Sequence, residues 1–283
     1  MSAPVLSMPW RSSARPGVPS ALASLRAVVR RGLLDQRRAP LTWGGALGAF
    51  GVLIAATWPS IEDSVGEIVD LYPEGLREAF NIDAITTIEG YIDAEMLTFI
   101  VPLAVAFLAV RTVTRATVVA EEKRWLDTLL AVPLSRGRLV AGSVVVTAVV
   151  LAAVLAVATF LTMIAALLVG ADPDLWIIVR GMANVWPLSI FFAGLAALAA
   201  GVLHSASRVT AVAAGALVGM YAIDLVGKLA DSLDWIRWGS AFRYYGSAVQ
   251  DGIDPLAFVG LAVVGIAMAG LGAWLFQRRD TFA

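Results

Sequence analysis

The chain has 283 residues, of which 59% are hydrophobic and 15% charged, and its mean hydropathy is +0.80. A soluble domain carries roughly 25% charged residues, so a water-exposed surface cannot be assembled from this composition. With no cysteine and one histidine, the sequence excludes thiol chemistry, cysteine-ligated metal or iron–sulfur sites and histidine-cluster metal sites. Nucleic-acid-binding and disulfide-stapled classes fall away too, and the fold class expected is an all-α polytopic membrane protein.

In chain order, residues 1–19 are rich in Ser, Pro, Ala and Arg and hold no continuous apolar stretch, which reads as a flexible tail and not a signal peptide. A basic amphipathic helix is expected over 20–38, with Ser20 as N-cap. Leu22, Leu25, Val29 and Leu33 lie on one face and five arginines around the rest, a pattern suited to the membrane surface. A first span covers 41–58, and a polar loop, 59–95, carries ten acidic residues against one Arg77. The second span covers 96–113 and runs into a charged segment, 111–138. The third, 139–169, is longer than the hydrocarbon layer, so it tilts or projects. Gly170-Ala-Asp-Pro173 breaks it. An interfacial piece with Trp176 and Arg180 precedes the fourth span, 183–203, and the fifth covers 209–226. The segment 227–254 mixes Trp235, Trp238, Tyr244 and Tyr245 with Lys228, Arg237 and Arg243. That composition suits an amphipathic helix in the headgroup layer. The sixth span covers 255–276, and 277–283 is a short tail.

Six spans put both termini on one side. That side carries sixteen Lys/Arg and the other five, so the positive-inside rule places both termini and loop 111–138 in the cytoplasm, with 59–95 external.

Within the spans, Asp224 and Lys228 stand four apart, as a structural ion pair near the end of the fifth span would. Arg180 and Asn184 read as interfacial anchors beside Trp176 and Trp186, with a cavity-facing role as the sharper alternative. Gly44/Gly48, Gly215/Gly219 and Ala197/Gly201 read as helix-packing sites. The one Gly-Lys pair, Gly227-Lys228, lacks the rest of a phosphate-binding loop, so no ATPase is encoded here.

Loop 111–138 is the most informative segment. Val118, Glu122, Trp125, Leu126 and Leu129 share one helical face, and Pro133 ends the pattern. A carboxylate on that apolar face needs a hydrogen-bond donor or a cation. The run Glu121-Glu122-Lys-Arg-Trp125-Leu-Asp-Thr128-Leu129-Leu-Ala-Val-Pro133-Leu-Ser-Arg136 resembles the cytoplasmic-loop signature of ABC-2-type permeases, the membrane subunits of ATP-binding cassette exporters. Asp127 stands where the family has Gly, and Ser143 where it has Lys. The loop motifs Leu71-Tyr-Pro-Glu-Gly-Leu76 and Ile88-Glu-Gly-Tyr-Ile92 and the ending Phe276-Gln-Arg-Arg-Asp280 are similar to parts of the same family.

The resemblance implies a multi-pass permease subunit of a prokaryotic inner or plasma membrane exporter, with no catalysis and no cofactor of its own. It implies two copies of a cytoplasmic ATP-binding cassette ATPase subunit, which bind ATP and Mg, and a second permease half, identical or homologous. Glu121, Glu122, Trp125, Thr128, Leu129, Pro133 and Arg136 would form the ATPase-coupling element. It also implies short re-entrant helices in 227–254, closing the external end. Membrane lipid is the remaining partner, nucleic acid is not one, and the substrate is unnamed. The rival class is a self-contained channel or secondary transporter, which would need charges at mid-membrane depth.

Overall fold

The computed structural model describes residues 21–64, 73, 76, 86–122 and 136–278. Among them there is no strand, and six helices are long and apolar enough to cross a membrane. Helix α1 is Ala21–Asp35. A π-helical turn, Pro40–Gly44, then leads into α2, Gly45–Ile61, the first span. The short α3, Ile88–Ile92, continues through a second π-turn, Asp93–Leu97, towards α4, Ile100–Thr114. The second span goes on through Arg115–Val119 and ends in one more turn at Ala120–Glu122. The remaining spans are α5, Arg136–Leu168; α6, Leu175–Val202; α7, Ala206–Leu229; and α9, Pro255–Arg278. Between α7 and α9 lie a 3-10 helix, Asp231–Gly239, and α8, Ala241–Tyr245.

One expectation is corrected. Trp176 and Arg180 do not sit on a separate interfacial piece; they belong to the first turns of α6. The reason is the cap: the Asp174 carboxylate accepts from the Trp176 and Ile177 N–H groups, so the helix starts there and runs unbroken through Pro187. The Gly170–Pro173 break does hold, with Gly170 at φ 75° and Asp172 at φ 47°, a left-handed position that Asp tolerates. Of the two readings open for segment 227–254, a single helix is not seen: it holds a 3-10 helix with Trp235 and Trp238 exposed and α8 with Ala241 and Phe242 buried.

The tail 1–19, Ser20, most of loop 59–95, residues 123–135 and 279–283 lie outside the described residues.

Helix α6 is the centre of the bundle. Buried residues make up 72% of its apolar window, against 22% for α7 and 28% for α9. It packs on α9, α4, α5 and α7, while α1 and α2 lie on the far side of α5. The α6–α9 seam is set by glycines seven apart on both helices, Gly194 and Gly201 facing Gly265 and Gly272. A Cβ on Gly201 would come 2.7 Å from the Gly272 carbonyl oxygen, so the backbones touch directly. The seven-residue spacing keeps this contact in step over two turns. Gly44 and Gly48 receive Val157 and Leu161 of α5. Gly215 and Gly219, by contrast, face open space within 4 Å.

Candidate functional site

At the end of the bundle remote from α1, residues 240–250 form a plug wedged among three spans. Ser240 begins it, accepting from the Phe242 N–H to cap α8 while its hydroxyl donates to the Met220 carbonyl of α7 at 2.7 Å. Tyr245 Oη donates to the Leu97 carbonyl at 2.9 Å, and Asn184 of α6 donates to the Tyr245 carbonyl at 2.6 Å. Arg180, one turn earlier, donates to the Val249 carbonyl, and the Ser247 hydroxyl donates to the buried Asp93 carboxylate at 2.6 Å. Phe242 fills the middle, 5.3 Å from the Tyr221 ring and 6.1 Å from that of Phe192, centroid to centroid. Burial pushes the Tyr245 phenol well above its usual range and the Asp93 charge adds to the rise, so the hydroxyl keeps its proton and remains a donor. The crevice beneath, between Asp93, Tyr221, Asp224, Lys228 and Tyr245, holds about 20 Å³, room for about one water. Among the described residues, the plug fills this end of the bundle.

An ion-pair chain locks the plug to α7. Asp224 is 5% exposed and lies 3.4 Å from Lys228 and 3.0 Å from Arg237. Arg237 also reaches Asp234 at 2.7 Å, and Arg243 reaches Asp234 at 3.1 Å while lying 4.4 Å over the Trp238 ring. Burial alone would raise the Asp234 carboxyl, but hydrogen bonds and positive charge from Arg237 and Arg243 outweigh it and hold the group below the usual carboxylate range. Gly227 makes the chain possible, because a side chain there would collide with the methylenes of Arg237 where they cross α7.

At the opposite end of α7, Glu122 Oε1 accepts from the Ala206 N–H at 2.9 Å. The residue at which the second span's described stretch ends thereby caps the first turn of α7, where a negative charge also meets the positive end of the helix dipole. Helix α7 is thus held at both ends by polar contacts and is sparsely packed between them.

Residues 32–277 match the family described as multidrug efflux system permease Rv1217c, C-terminal domain. The chain belongs to this family. It is a multi-pass membrane permease, and its six apolar helices carry the matched region. No curated protein matches the chain.

Of the residues expected to couple the permease to an ATPase, Trp125, Thr128, Leu129 and Pro133 lie outside the described residues, as do the side chains of Glu121 and Arg136. Glu122 is exposed, and the donor it requires comes from the permease's own backbone, 84 residues away. The Asp224–Lys228 pair forms as its spacing predicts, and Arg237 joins it. Arg180 and Asn184 donate to the Val249 and Tyr245 carbonyls and so fasten the plug. Asp93, Ser247 and Tyr245 carry plug contacts that no local pattern marked. Among the described residues of the permease, no cluster of three His, Asp or Glu side chains suits a metal ion.

Proposed function

We propose that this chain is one permease half of an ABC-2-type multidrug exporter in a prokaryotic cell membrane. Two such halves enclose the pathway, and two separate ATPase subunits bind ATP and Mg beneath them. The chain performs no covalent chemistry. Orientation follows the positive charge, so α1, Glu122 and both termini face the cytoplasm and the plug faces outward. The family match and the loop signature support this reading.

The observation that carries the mechanism is the contact of Glu122 with Ala206. It joins the coupling loop to the first turn of α7, and the other end of α7 holds the plug through Asp224. ATP binding clamps the ATPase subunits together, displaces the loop and shifts α7 as a rod. The Asp224–Arg237 lock and the Ser240–Met220 bond then break, and the plugged end opens. The energy required is the difference in ATP affinity between the two states of the assembly. A discrete, two-ended element of this kind is what long-range coupling requires.

The exposed face of α7, with Val212, Gly215, Gly219 and Val226, supports placing the second half there.

Trp125→Ala and Glu122→Ala test the coupling. Trp125 is an aromatic anchor of the ATPase contact, so its truncation weakens ATPase binding by about 2 kcal/mol, on the order of thirtyfold, and abolishes transport while membrane insertion persists. Glu122→Ala leaves the ATPase bound and uncouples its hydrolysis from transport. If the ATPase binds Trp125→Ala at wild-type stoichiometry and affinity, the coupling element lies elsewhere.

A further inference from the structure

Helix α1 is not simply laid against the bundle. Its apolar face crosses α5 at two close approaches. A Cβ on Gly32 would come 2.7 Å from Val146, and one on Gly142 would come 2.6 Å from Val28. These approaches bring α1 close against α5, and one flank of the crossing stays open. There a groove of about 460 Å³ runs between Leu25, Val29, Leu33 and Leu34 of α1 and Val145 of α5. Its walls are almost wholly apolar, with Leu34 55% and Val145 44% exposed.

Arg26 and Arg30 border the same groove, one helical turn apart and both exposed. Neither has an ion-pair partner among the described residues, whereas Arg31 lies 3.9 Å from Asp35. An apolar slot under two unpaired guanidiniums fits an anionic amphiphile. The slot lies at the membrane edge: α1 ends five residues before Pro40 opens the first span, and Val145 is about two and a half turns into α5. The preceding segment 1–20 is a poor occupant, since it contains Arg11 and Arg15 and no acidic residue.

We propose that the groove between α1 and α5 binds one anionic diacyl phospholipid, with an acyl chain along Leu25, Val29, Leu33 and Val145 and the phosphate between Arg26 and Arg30. Guanidinium forks match phosphate oxygens in geometry as well as in charge. The bound lipid would complete the α1–α5 contact and tie α1 to the anionic leaflet.

The experiment compares the purified full chain in mild detergent with phosphatidylglycerol and with phosphatidylcholine of identical acyl chains, counting retained lipids by native mass spectrometry. One phosphatidylglycerol per chain is expected, in preference to phosphatidylcholine. The exposed double substitution R26Q/R30Q weakens retention on the order of tenfold or more. R37Q/R38Q makes the same change in charge outside the groove and leaves retention unchanged. Val145→Phe fills the slot without touching a charge and also lowers retention. Equal losses from the two arginine pairs would reduce the effect to diffuse surface charge and overturn the site, and so would equal retention of the two lipids. Full retention in Val145→Phe that remains monodisperse would remove the acyl slot from the account.

Discussion

Arg237 holds the plug shut from an unusual position. It is 18% exposed at the side chain, bridges Asp224 and Asp234, and reaches Asp224 only because position 227 is glycine. Arg237→Ala leaves buried Asp224 with Lys228 alone. The expected cost is about 1–3 kcal/mol, read as a lower unfolding temperature in detergent. A cysteine placed at buried Ala248 in that background should become reactive to a thiol reagent, where the same cysteine beside native Arg237 stays protected. The pH dependence has a definite sign. The carboxyl of Asp234 is held below its ordinary value of 3.8, so its contribution is complete above that pH and is lost as pH falls through the depressed value. The plug should therefore stay locked across the physiological range and loosen only in strong acid. At this scale the sequence was partly legible. Asp224–Lys228 follows from i,i+4 geometry. Arg237 joins from beyond a chain reversal, and Glu122 bonds 84 residues away, so no local spacing announces either.

The helices differ in how firmly they are held. The α6–α9 seam brings backbone against backbone at Gly201 and Gly272, so Gly272→Val must push the helices apart. Overpacking of this kind costs about 1–3 kcal/mol. Gly219→Val meets nothing within 4 Å in the isolated chain and should leave its stability within experimental error. Thermal unfolding of the two variants side by side checks the contrast. All six spans are legible as elements because an apolar run of sufficient length has few alternatives in a membrane protein, but their ends are not, the second running on to Val119. The fourth is longer than its apolar run, because Arg180, an edge residue by composition, lies within α6, where Nη2 donates to the Val249 carbonyl and Nε has no partner among the described residues. Segment 227–254 was the least legible element. Its aromatic and basic composition suits the headgroup layer as well as it suits a plug, and only long-range partners, Leu97, Asn184 and Met220, decide between them.

For the molecule as a whole, the positive-charge bias sets an orientation open to direct test. The chain has no cysteine, so single substitutions Asp70→Cys and Ser135→Cys report cleanly. An impermeant thiol reagent added to whole cells should label position 70 and not position 135; the reverse pattern would invert the assignment of the two bundle ends. Among the described residues, the plug fills one end of the bundle, and the most buried span, α6, occupies its centre. Under the proposed function, export of a drug-sized molecule calls for a second half and an outside source of energy. The mass and stoichiometry of the transport-active particle test this most directly. The account predicts two six-span subunits with two ATPase subunits. A monodisperse particle that transports with a single copy of this chain, no second permease and no ATPase would contradict it.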